Sequence, residues 1–222
     1  MPVTFVSKSA DGETTGTGFT ATEPTGASLN DILFLWVVVQ TGLTNWAPPA
    51  LWTLLVDLSN GGGGDSQNFA AWLYWIRRGT TAPALNASWT STKFYSVSTT
   101  CWRGCKLSGN PYNASAGLYA VTNPSAPNPP SISITAQNAV AVALGASWTG
   151  PTVAYTAPTG FTIREAGAAG TAVCVASKIA GVGTEDPGVF GGVPAGANGE
   201  AGATVALQPE PGGQNLLLLG VS

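Results

Sequence analysis

The sequence predicts an all-β fold, an antiparallel β-sandwich, and three observations carry that reading. Its apolar segments are short, rich in Val, Ile, Trp and Tyr, and bounded by Gly, Pro, Asn or Asp. The 29 glycines and 16 prolines break the chain too often for long helices. The strand-like segments also recur at the spacing expected of a sandwich, of which the jelly roll is one form. A chain of 222 residues with 44% hydrophobic residues is long and apolar enough to bury a substantial core in one domain.

Taken in order, candidate strands cover residues 3–7, 31–40, 52–57, 69–77, 84–90, 95–103, 131–135, 139–147, 162–165, 172–180 and 203–208. Some alternate: Tyr95, Val97, Thr99, Cys101 and Arg103 share one face of their segment. Residues 32–39 and 69–76 are instead apolar at every position, so both of their faces must be covered, by a second layer or at a subunit contact. The order of elements repeats about 108 residues apart. Asn30, an apolar strand, Pro49-Ala50-Leu51-Trp52-Thr53 and a second apolar strand are matched by Asn138, an apolar strand, Pro158-Thr159-Gly160-Phe161-Thr162 and a further apolar strand. Two weakly similar halves follow, either from duplication or because any two halves of a sandwich share this grammar.

Residues 1–29 read as an N-terminal strand and a Thr-, Gly- and Ser-rich loop or arm, 30–210 as the sandwich, and 211–222 as an apolar tail. Residues 122–130, with four prolines, read as a surface loop. Leu216, Leu217, Leu218 and Leu219 would be a liability on a free tail. Residues 216–221 are therefore expected to add as a strand to a sheet edge, the chain's own or a neighbour's.

Charged residues make up only 9% of the chain, against roughly 25% in an ordinary soluble domain. Spread over about 9,000 Å² of folded surface, that is about one charge per 500 Å². A surface so poorly charged is expected to be covered in part by protein partners. The net charge of −3 and the scatter of the eight Lys and Arg residues leave no basic stripe for nucleic acid. The longest apolar run has eight residues, where a membrane helix needs about 20. The opening residues show no secretory signal, so a cytoplasmic start is expected. Cys101, Cys105 and Cys174 read as buried thiols. Their number is odd, and two sulfurs four residues apart on a strand lie about 13 Å apart.

Several chemistries find no constellation here. The chain has no histidine, which removes the Ser-His-Asp and Cys-His arrangements, and without a C-x-x-C pair no metal site is expected. Hydrolysis by paired carboxylates would need two of Asp31, Asp57, Asp65, Glu165, Glu185 and Asp186, and no motif marks a pair. The loop 61–66 lacks the Lys-Ser/Thr of a phosphate-binding loop and reads as a mobile tip, with Asp65 as a candidate cation ligand. Trp36, Trp72, Trp75, Trp89 and Trp102 sit inside apolar strands and read as core or interface. Trp46 and Trp52 flank Ala47-Pro48-Pro49, and are the candidate ligand or interface aromatics.

Residues 31–39, 49–53, 71–76, Trp102-Arg103-Gly104, 139–144 and Ala206-Leu207-Gln208-Pro209, in that order, resemble the pattern of a family of phage-encoded β-sandwich proteins. The resemblance spans about residues 28–210, and Asn138 stands where that pattern has Asp. It implies a virion component without cofactor or catalytic residues. The expectation is a capsid decoration or cement protein that stabilises the head by contacts with the major capsid protein or other virion proteins, as a homo-oligomer in a particle assembled in the host cytoplasm. The alternative is a tail or fibre module that binds carbohydrate or receptor, which would expose Trp46 and Trp52 as a platform.

Overall fold

The computed structural model describes residues 1–40, 43, 45–59, 69–120, 126–148, 155–166, 171–192 and 198–211. The strands are β1 (Thr4–Thr20), β2 (Ile32–Gln40), β3 (Thr53–Asp57), β4 (Phe69–Arg77), β5 (Asn86–Arg103), β6 (Tyr112–Ala120), β7 (Ile132–Ile134), β8 (Ala139–Trp148), β9 (Thr162–Glu165), β10 (Thr171–Ala180), β11 (Gly183–Glu185) and β12 (Asn198–Leu207). No helix occurs among the described residues. Two five-stranded antiparallel sheets pack face to face, with orders β1-β5-β2-β4-β3 and β6-β12-β8-β10-β9, while β7 and β11 form a separate ribbon.

Each large sheet is built from one half of the chain. Numbered within its own half, the second sheet repeats the order of the first, strand for strand. Register agrees with topology: Ile32 pairs with Arg77 and Trp102 in the first half, and Val140 with Ile179 and Leu207 in the second. The turns that precede the central strands match as well, since Asn30 and Asn138 both adopt positive φ. A jelly roll passes its strands from sheet to sheet. Here each half stays in one sheet, so the sandwich is a pair of like sheets. Edge β1 lies over β9 and edge β3 over β6, the reciprocal pairing that a pseudo-twofold axis between the sheets produces.

The strand order also explains why 32–39 and 69–76 are apolar throughout. In this order three connections per half must cross over a neighbouring strand, and they cross on the outer face. The inner face of β2 (Ile32, Phe34, Trp36, Val38) meets Val140, Val142, Leu144 and Ala146 of β8 in the central core. The outer face (Leu33, Leu35, Val37, Val39) is covered by Ala21, Trp52 and Leu85 from the crossing connections. In the second half Ile134, Tyr155, Phe161 and Phe190 cover Ala139, Ala141 and Ala143 in the same way. Both covers are supplied within the chain. Paired hydrogen bonds fasten them, Ala47 with Ser88 in the first half and Thr156 with Gly191 in the second.

Four expectations from the sequence need correction. β1 does not stop at Ser7, because residues 8–20 continue it along β5 through two register shifts, at Asp11/Thr14 and Gly16/Gly18. An edge strand held by backbone bonds to one neighbour needs few apolar side chains, so Thr, Gly and Ser serve. Residues 84–90 and 95–103 are not separate strands but lie largely within β5, which stays extended through Ser91, Thr92, Lys93 and the exposed Phe94. β6 and β11 had no signal, since Ala, Ser and Gly carry little strand propensity. The described part of the proline-rich stretch is no free loop. Pro127 and Pro129 are buried on the outer face of the second sheet, over the paired Gly145 and Gly202.

That seat depends on absent side chains. A Cβ on Gly202 would stand 2.8 Å from Pro129 Cα, and one on Gly145 would stand 2.8 Å from Pro127 Cβ and from Cys174 Sγ. Gly202→Val is therefore expected to cost about 1–3 kcal/mol by lifting the proline segment off the sheet. Gly79→Ala, where a Cβ meets nothing within 4 Å, should change stability by less than about 0.5 kcal/mol. Urea unfolding of the two variants beside the parent checks both values.

Candidate functional site

The aromatic residues flanking Ala47-Pro48-Pro49 belong to the connection from β2 to β3. Trp52 is buried and donates its indole N–H to the Ala84 carbonyl at 2.7 Å. Trp46 is half-buried, stacked on Trp72 with ring centroids 4.7 Å apart, and donates to the Tyr74 hydroxyl at 3.1 Å. Trp89 and Tyr95 continue the cluster, and Phe19 closes on both. The rings that could have formed an exposed platform instead roof the outer face of the first sheet.

The acidic residues are dispersed and locally engaged. Asp31 is buried at the start of β2, where Arg103 donates to it from Nε at 2.9 Å and from Nη2 at 2.7 Å. Ser28 N–H donates to the same carboxylate at 2.8 Å, and Cys101 Sγ lies 3.5 Å from it. Glu165 pairs with Lys8 across the sheets, Glu185 with Lys178, and Glu23 with Arg78. Asp57 accepts from Ser59 N–H and Asp186 from Gly188 N–H, each closing a local turn. Asp65 and the loop 61–66 lie outside the described residues. Among the described residues no group of three or more Cys, Asp and Glu is placed to hold a metal ion.

The three thiols are free and buried. Burial raises the pKa of each, Cys105 to about 12, and the neighbouring Asp31 carboxylate raises Cys101 further. Such groups are packing residues at neutral pH, since the thiolate is the reactive form.

What the surface does present is apolar. Leu51 is 88% exposed at φ 71, a left-handed conformation costly for a branched side chain. At the matching turn of the second half stands Gly160, which takes φ 81 without that cost. Three residues on, Leu54 is exposed on edge strand β3 and pairs with Tyr74 on the outer face of the first sheet, while Leu118, exposed on edge strand β6, pairs with Gly202 and points to the outer face of the second. Neither the strained turn nor the exposed edge has a motif that sequence reasoning could find, because each depends on which sheet edges meet. Leu216, Leu217, Leu218 and Leu219 lie outside the described residues.

Comparison with known protein families, with curated proteins and with solved structures finds no match. Function is therefore read from the chain's own geometry.

The Asp31–Arg103 pair is asymmetric in burial, 3% against 42% side-chain exposure. Arg103→Met strands a buried carboxylate and is expected to cost about 3 kcal/mol or more. Asp31→Asn leaves the guanidinium free to turn to water and is expected to cost about 1–2 kcal/mol. Denaturant unfolding of both variants would contradict this arrangement if the two losses were equal or reversed.

Proposed function

We propose that this chain is a non-enzymatic structural protein of a bacteriophage particle, a head decoration or cement protein that stabilises the shell through contacts with the major capsid protein or other virion proteins. The observation that carries the reading is the apolar β3 edge of Leu51 and Leu54, with Leu51 held in a strained turn where it is 88% exposed and buries little within its own chain. Strain that gains so little internal burial is understandable where the residue seats in a partner. Two further observations support a role in contacts. With about one charge per 500 Å², the surface lacks the repulsion that keeps exposed sheet edges apart. Among the described residues Glu23, Asp31, Glu165 and Glu185 stand in ion pairs and Asp57 and Asp186 close turns, so none of these six is left as an obvious member of a carboxylate pair.

The alternative of a carbohydrate-binding module of a tail or fibre draws no support from Trp46 and Trp52, which pack against their own sheet. The order of motifs that resembles phage virion sandwiches is what directs the proposal to a particle, and the apolar edge is what directs it to protein neighbours. A cryo-EM map of the intact particle, with this sandwich fitted into it, tests both. Density on the outer head shell with the Leu51 edge against a capsid subunit is the expected result. Absence of the chain from the particle overturns the proposal, and density confined to the tail overturns the cement role.

A further inference from the structure

The pseudo-twofold relation gives the sandwich two sides where sheet edges meet, β1 over β9 on one and β6 over β3 on the other. Edge strands carry unpaired backbone groups that a further strand can join, and folds that avoid this shorten the edge, distort it or turn charges inward. The first side uses all three devices. β9 has four residues, β1 shifts register three times along β5, and Lys8 pairs with Glu165 across the sheets while Arg164 lies over the Phe5 ring. On the second side β3 has five residues, a register shift between Leu54 and Val56, and the charge of Asp57. β6 lacks these protections. Its nine residues, Tyr112 to Ala120, include no charged residue and no proline, and its register with β12 runs unbroken from Ala114 to Ala120. Ser115, Gly117 and Leu118 are exposed along it.

We propose that β6 is a self-association edge, and that a second copy of this chain pairs with it antiparallel about a twofold axis at Ala116, joining the second sheets of the two copies into one. Full overlap of residues 112–120 places the axis there and sets Leu118 opposite Ala114 of the second copy. Ala114, Ala116 and Leu118 share the outer face of the strand, so Leu118, 42% exposed in one chain, gains cover from the small side chains beside it. Charge favours an identical strand. A twofold axis makes a residue at its centre face its own copy, and β6 has no charge to be repelled there. The net charge of −3 over 222 residues adds little repulsion at longer range. Small side chains at Ala114, Ser115, Ala116 and Gly117 leave the backbone open to close approach. An identical strand also matches β6 in length and in lack of charge without further requirement, whereas any other partner must supply both. The pairing extends the second sheet and leaves Leu54 on the outer face of the first. It rests on edge geometry and not on the particle role, so either can fail without the other.

Light scattering and sedimentation velocity of the full-length chain test it. The parent is expected to show twice the 22.4 kDa of one chain at micromolar concentration. Ala116→Lys and Ala116→Glu each put like charges face to face at the axis, and each is expected to weaken the dimer about tenfold or more. An equimolar mixture of the two puts Lys opposite Glu and should restore the dimer. Circular dichroism and urea unfolding beside the parent establish that the variants are folded. Leu118→Lys changes an exposed side chain, needs nothing of Ala116, and carries the same expected loss. Ile179→Lys, at a 73% exposed position on β10, should leave the dimer unchanged, which separates edge pairing from general apolar association. A parent that stays monomeric up to about 100 μM overturns the proposal. So does a dimer that folded Ala116 variants and Leu118→Lys all retain, or a Lys and Glu mixture of folded variants that remains monomeric.

Discussion

The structure depends on the need to cover two central strands on both faces. Each of the eight residues 32–39 is at most 1% exposed. Burying a Val, Leu, Ile or Phe side chain contributes about 1.5–3 kcal/mol, so uncovering the four outward residues of β2 would lose about 6–12 kcal/mol. That is comparable to the entire net stability of a domain, about 5–15 kcal/mol. A sheet built on this strand therefore cannot leave its outer face to water. The β1-β5-β2-β4-β3 order meets the need directly, because its crossing connections run over the face that requires a roof. In the second sheet the outward residues of β8 are small: Ala139, Ala141, Ala143, Gly145 and Ser147. The large side chains there come from the connections, with Tyr155, Phe161 and Phe190 reaching down to small ones.

The two halves share a frame and differ at a few positions that alter what the surface offers. Asp31 and Arg103 form an ion pair in the first half, where the second half has Ala139 and Gln208, and Gln208 donates instead to the carbonyls of Asn110 and Tyr112. Trp75 packs edge-on against Tyr112 where the second half has Ser177, to which Arg164 donates while stacking on Phe5. Leu51 occupies a left-handed turn that Gly160 accepts without strain. Each difference leaves the central core intact, since Ile32, Phe34 and Trp36 still meet Val140, Val142 and Leu144 across the sheets. These three departures from pseudo-symmetry thus lie at strand ends, an edge and a turn, away from the central core.

The sequence carried the fold class because burial on both faces of β2 and β4 leaves an unbroken apolar run, and because the Pro-x-x-aromatic-Thr turns recur at matching places. It also placed Asp31 and Arg103 in its motifs without indicating that they meet. Their contact arises only when β5 lies beside β2. Residues 8–20 and 91–94 gave no strand signal because backbone pairing holds them although, Phe19 and Phe94 apart, their side chains are small or polar. The roles of Trp46 and Trp52 were likewise out of reach. A tryptophan in a proline-rich loop reads the same whether it faces solvent or crosses over a sheet, and only the strand order decides.

Amide hydrogen exchange on the full-length chain, measured toward native conditions, tests most directly whether the covers belong to the same cooperative unit as the sheets. The amides of Ala47, Ser88, Thr156 and Gly191 fasten the outer segments. They should exchange with the same opening free energy as those of β2 and β8, through global unfolding. Exchange of those four amides at an opening free energy several kcal/mol below that of the central strands would contradict the account, because the outer faces would then tolerate water and the roofing segments would not be what holds the sheets.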